Sequence, residues 1–184
     1  NAFYDESDSR ELSETAYSFI AGLLHHVPSF VAFTNPLVNS YKRLVPGYEA
    51  PCYIAWSASN RSALVRIPAT RGAGTRVEIR CPDPSANPYY AYASIAAAGI
   101  DGVEKSLQAP TETVDDIFSM SDEEREERGI ENLPTTLGES IQALKAGEIG
   151  KKVLGDYALN EYLSLKQDAW DSYRIAVTEW ELDR

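Results

Sequence analysis

Histidine and cysteine are scarce, two of each in 184 residues, with His25 and His26 adjacent and Cys52 and Cys81 far apart. Two cysteines build no disulfide framework, and at that spacing they form no metal knuckle; strand-embedded thiols are the expectation. Adjacent helical residues point about 100° apart, so the two histidines cannot share a metal as an i, i+4 pair would. Packing at a helix end, or a contact with the helix C-terminal dipole, is the simpler reading. Positive charge is also short: 17 Lys and Arg against 28 Asp and Glu leave a net charge of −11, which repels a nucleic-acid backbone. No uninterrupted apolar run approaches the about 20 residues that cross a bilayer, and no basic-then-apolar leader opens the chain. The expectations are therefore a cytoplasmic protein, no membrane and no nucleic acid. The glycine-bearing segment 70–75 is a flexible connection without the lysine of a phosphate-binding P-loop. A hydrophobic content of 43% with 24% charged residues fits a single domain with a core.

The cations that do exist are not spread evenly. Residues 35–80 carry Lys42, Arg43, Arg61, Arg66, Arg71, Arg76 and Arg80 against Glu49 and Glu78, a formal +5, while the remaining 138 residues carry −16. Six of the seven are arginine, which keeps its charge when desolvated and grips carboxylate or phosphate through two parallel hydrogen bonds. A site for small anions is the first reading. Taken singly, Arg43 reads as a surface ion pair and Glu49 as a solvated loop acid.

Periodicity places these residues. Ala16, Phe19, Ile20, Leu23, Leu24 and Val27 recur at helical spacing behind a Ser13 N-cap, with Pro28 as the break and a short second helix over 29–33. Three prolines and a glycine make 35–51 an ordered loop tipped by Arg43 and Glu49. Residues 52–57 and 63–67 read as strands joined by a turn at 58–62. In Arg76-Val77-Glu78-Ile79-Arg80-Cys81 a period of two sets Arg76, Glu78 and Arg80 on one face. A carboxylate between two guanidinium groups is either a surface ladder of weak ion pairs or a metal-ready carboxylate with arginines for the anions around the metal. Asn87 and Pro88 open an alanine-rich helix to residue 103 that reads as buried nearly all round. Residues 108–134, with the run Asp122-Glu123-Glu124-Arg125-Glu126-Glu127-Arg128, read as an acidic insert or mobile edge. Thr136 with Glu139 opens a capping box for a short helix, and Asp156 caps a long one.

The segment 35–51, then Asn60-Arg61-Ser62, Arg66-Ile67-Pro68, Arg76-Val77-Glu78-Ile79-Arg80, Pro82-Asp83-Pro84 and Asn87-Pro88-Tyr89, closely resembles the C-terminal half of the catalytic domain of bacterial type I glutamine synthetase. The resemblance continues more loosely over the whole of 1–184. It implies ATP-dependent ligation of ammonia to L-glutamate through a γ-glutamyl phosphate. It also implies Arg61 on the transferring phosphoryl group, Arg66 and Arg76 on the nucleotide, and Arg43 and Arg80 on the glutamate substrate. Glu78 would be a ligand of Mg2+ or Mn2+, and Glu49 a flap that guards the intermediate and helps take a proton from ammonium. One branch of the family is regulated by adenylylation of a tyrosine near 117–119; this chain has none between Tyr92 and Tyr157, so that regulation is not expected.

The resemblance implies an α+β fold, antiparallel strands of a partial barrel-like sheet backed by helices, and a homo-oligomer whose C-terminal arm, 175–184 here, reaches a neighbouring subunit. Nothing in the chain resembles the family's Glu-x-Glu metal ligands or its His-rich nucleotide segment, so the isolated chain is expected to be inactive. A ligase acting on a larger amine and a non-catalytic structural or regulatory relative are the alternatives. Loss of the arginine set would mark the last, and Arg43, Arg61, Arg66, Arg76 and Arg80 are all present.

Overall fold

The structure, a computed structural model, describes residues 1–48 and 50–183. Its elements in chain order are α1 (Glu14–Thr34), β1 (Tyr53–Ser57), β2 (Ala63–Arg66), β3 (Glu78–Ile79), α2 (Pro88–Glu104), α3 (Asp122–Glu127), α4 (Leu137–Ala146), α5 (Ile149–Arg174) and α6 (Glu179–Leu182). A turn of 3-10 helix, Val38–Lys42, lies between α1 and β1. The class is α+β: a small open sheet of order β1-β2-β3 with helices packed around it.

Helix α1 is the axis of the core. Ser13 caps it, its hydroxyl accepting from the Ala16 amide at 3.1 Å. The expected break at Pro28 does not occur, and the helix runs on to Thr34. Proline inside a helix costs about 3 kcal/mol because it removes one hydrogen bond and crowds the preceding turn. Here Phe30, Val31, Ala32 and Phe33 are all buried beyond it, and their packing outweighs that local penalty. The histidines consequently sit in mid-helix rather than at its end. By length and composition α1 would also cross a membrane, but 72% of its most apolar window is buried inside the protein. Against α1 lies α2, at a crossing so close that the backbones of Gly22 and Gly102 meet.

The expected antiparallel sheet is antiparallel only between β2 and β3; β1 and β2 run parallel, with an irregular register between Tyr53 and Trp56. A parallel pair ordinarily needs a long crossover. Strand β2 has only four residues and spans about 13 Å, a distance that five extended residues, with a reach of about 16 Å, can cover. The expected strand 76–81 shrinks to Glu78–Ile79.

Helix α2 also departs from expectation. Its N-cap is as read, Asn87 accepting from the Tyr89 amide at 2.9 Å, but Tyr89 and Tyr92 are 82% and 75% exposed while Tyr90 packs inward against Phe33 and Tyr162. Alanine-rich composition conceals which side is solvated. Thr136 caps α4 as expected, accepting from the Glu139 amide at 3.1 Å. Gly155, at φ 69°, interrupts the helical path of α5 just before Asp156.

Candidate active site

Ladder geometry creates the first charged contact. Arg66 of β2 and Glu78 of β3 are register partners, and their side chains meet at 3.5 Å. Arg80, two residues after Glu78, approaches the same carboxylate at 3.5 Å. The side chains of Arg66, Glu78 and Arg80 are 28%, 39% and 20% exposed. Ion pairs this long and this wet are worth under about 1 kcal/mol each. They hold the groups near one another.

Arg61 enters from the turn 58–62, and the Arg80 guanidinium donates to its backbone carbonyl. Arg61 and Arg80 line a cleft of about 420 Å³, with Tyr48 from the loop before β1 and Asp116 and Phe118 from the segment before α3. A larger hollow of about 560 Å³ near Ile54 and Pro110 is less suited to anions. Its one arginine, Arg128, is paired with Asp115 at 2.8 Å, and its Glu112 already accepts from Arg10, Ser57 and Ala58.

Arg43 follows the 3-10 turn and is half buried. It donates to the Cys81 carbonyl and, at 3.4 Å, to Asn35 Oδ1, which brings it to the residue after Arg80. Its Nε and that of Arg66 are buried without a hydrogen-bond partner among the described residues. A buried donor left unpaired costs about 1–3 kcal/mol, a local strain that the packing around both arginines carries. Burial pushes the Cys81 thiol up to about 12, which makes it inert packing rather than a nucleophile.

Five of the seven sequence-derived site residues thus gather: Glu78 with Arg66 and Arg80, Arg61 in the cleft with Arg80, and Arg43 beside Cys81. Arg76 does not join them. It is exposed and donates to the Gly74 carbonyl at 3.4 Å, so the partner flanking Glu78 is Arg66 rather than Arg76. Glu49 lies outside the described residues. Sequence reasoning gave no role to Tyr48, Asp116 or Phe118, and the last two carry no local signal because the fold alone brings them to Arg61.

Glu78 is the one sequence-derived candidate ligand for a divalent ion among the described residues. Such an ion takes six or more oxygen ligands, usually with more than one carboxylate. Among the described residues no three His, Cys, Asp or Glu side chains converge, and Glu78 is a single carboxylate already flanked by two cations. These residues alone do not make a metal site.

The arrangement gathers guanidinium groups at one cleft, and comparison with known proteins gives the class of domain. A family profile described as glutamine synthetase, catalytic domain, matches residues 1–184. Glutamine synthetases of Clostridium saccharobutylicum and Thermus thermophilus are 56% and 55% identical over the whole of this chain, which covers 41% of each. That of Methanosarcina mazei is 52% identical over the same share. Among solved structures, one described as a GmaS/ADP complex superposes with a TM-score of 0.83 at 36% identity, over 98% of this chain and 41% of that one. An apo GmaS structure gives 0.81 at 35%, over 98% of this chain and 40% of that one. The chain belongs to the glutamine synthetase catalytic-domain family. It spans about two fifths of the length of the relatives it matches. The family is one of ligases that use ATP and divalent metal ions in general.

Proposed function

We propose that this chain is the arginine-bearing part of a glutamine synthetase, in which a longer polypeptide ligates ammonia to L-glutamate with ATP. The observation that carries the reading is that Arg61 and Arg80 share one cleft while Arg66 and Arg80 share one carboxylate, so that Arg80 links the three, in a chain matching the family throughout.

A carboxylate resists amide formation because oxide is a poor leaving group. Transfer of the terminal phosphoryl group of ATP to the γ-carboxylate gives an acyl phosphate, and attack by ammonia then expels phosphate. Each step gathers negative charge on oxygen, and fixed guanidinium groups stabilise that charge. Arg61, in the cleft, holds the transferring phosphoryl oxygens, and Arg66 faces the nucleotide phosphates. Arg80 and Arg43 bind the carboxylates of glutamate through their guanidinium groups. The assignment of Arg76 to the nucleotide rests on the resemblance alone, as does that of Glu49, which would exclude water and favour free ammonia over ammonium. Glu78 would be one ligand of Mg2+ or Mn2+, which would supply positive charge beside the phosphates. Identity of 52–56% to glutamine synthetases favours ammonia as acceptor. The exposed apolar arm, with Val177, Trp180 and Leu182, would meet a neighbouring subunit of a homo-oligomer.

The 184-residue chain alone is expected to be inactive, since one carboxylate holds no divalent ion. The test is a chimera in which this chain replaces the matching 41% of the Thermus thermophilus enzyme. The chimera should make glutamine from ATP, glutamate and ammonium, and Arg61→Ala should cost about a hundredfold or more in kcat. A folded chimera without activity, or glutamine synthesis by the chain alone, contradicts the proposal.

A further inference from the structure

The turn that presents Arg61 is tied to a segment more than fifty residues further on by hydrogen bonds that none of the roles above uses. Asn60 engages both ends of its amide. Its Oδ1 accepts from the Ser62 amide at 2.8 Å and the Ser62 hydroxyl at 2.6 Å. Its Nδ2 donates to the carbonyls of Thr113, at 3.3 Å, and Asp115. The buried Ser62 hydroxyl accepts in turn from the amide of Ile117, itself fully buried, at 3.0 Å. At the start of the turn, Ser57 Oγ accepts from the Asn60 amide at 3.1 Å and donates to Glu112 at 3.1 Å. Polar groups on both sides of Arg61 are therefore satisfied within the protein, while Arg61 itself lines the cleft. The same bonds anchor Asp116 and Phe118, which form the opposite wall.

We propose that Asn60 and Ser62 are positioning residues for Arg61, locking the arginine turn and the 113–118 wall into one unit that sets where the guanidinium meets an anion. Asn60 is suited to this because only a short amide supplies an acceptor for Ser62 and two donors for the wall at once. Aspartate keeps the acceptor and loses both donors. The role of the anion rests on the function proposed above; the lock does not.

The experiment uses the 184-residue chain, wild type, Asn60→Asp and Ser62→Ala, with three readouts: the Arg61 Nε–Hε resonance, hydrogen exchange at the Ile117 amide, and affinity for inorganic pyrophosphate. Either substitution should shift and broaden the Arg61 resonance, speed Ile117 exchange about tenfold and weaken pyrophosphate about fivefold. If Ile117 exchange accelerates while the Arg61 resonance and the affinity stay unchanged, the bonds are merely structural and the proposal fails. If the wild-type chain binds no pyrophosphate, the functional reading of the cleft fails, and the lock is judged on the Arg61 resonance alone. Should Asn60→Asp not fold, Ser62→Ala decides by the same readouts.

Discussion

Arg66 and Glu78 lie directly opposite one another across the β2–β3 ladder, and their charged ends meet at 3.5 Å. An anionic ligand of Arg66 and Arg80 would compete with the Glu78 carboxylate, which both approach at 3.5 Å. Glu78→Gln should therefore tighten binding of inorganic phosphate to the chain, read by calorimetric titration. The cost to folding should be under about 1 kcal/mol by urea denaturation, because the carboxylate is more than a third exposed. Weaker phosphate binding in the variant would mean that Glu78 orders the arginines rather than competing with their ligand.

The buried Asp101 of α2 makes a second prediction, away from the cleft. Lys105 at 2.9 Å and His26 at 2.7 Å hold its carboxyl down to about 2. A depressed carboxyl stabilises the fold above the unfolded value near 4, and that contribution fades as pH falls toward 2. Asp101→Asn should cost on the order of 1–2 kcal/mol at pH 7. By pH 3 its deficit should narrow by about half. Urea denaturation at the two pH values measures it, and a deficit independent of pH would remove the ion pair as its cause.

Where α1 crosses α2, a methyl group on Gly22 would strike the Ala98 carbonyl and the backbone of Gly102. Backbone cannot yield as a flexible side chain can, so Gly22→Ala should destabilise by about 1–3 kcal/mol or more. At Gly129, by contrast, nothing lies near an added Cβ, although φ is +65°. Only backbone strain opposes Gly129→Ala there, about 1 kcal/mol. Melting temperatures of the two variants should rank accordingly.

Most of the arginine set was legible because six guanidinium groups within 46 residues of an acidic chain stand out in any reading. Of the two arginines beside Glu78, Arg80 was legible and Arg66 was not. A period of two applies only where a strand persists, and β3 has two residues. Arg80, two residues on, does reach Glu78, but Arg76 lies ahead of the strand, turned to the Gly74 carbonyl, and cross-strand Arg66 takes the second place. Pro28 misled for a related reason: the local rule is real, but the core formed by Phe30 and Phe33 overrides it. Caps at Ser13, Asn87 and Thr136 were legible because each is a contact within three residues. The wall of Asp116 and Phe118 reaches Arg61 only through tertiary folding, which no local pattern encodes.

The central claim is that Arg61 and Arg80 form an anion site with Arg66 beside it, and titration of the 184-residue chain with inorganic pyrophosphate under NMR observation tests it most directly. The account predicts saturable shifts concentrated at residues 60–62, 66 and 78–80, with Arg61→Ala weakening affinity about tenfold. Shifts centred instead on Lys42 and Arg174, or an affinity unchanged by Arg61→Ala, would contradict it.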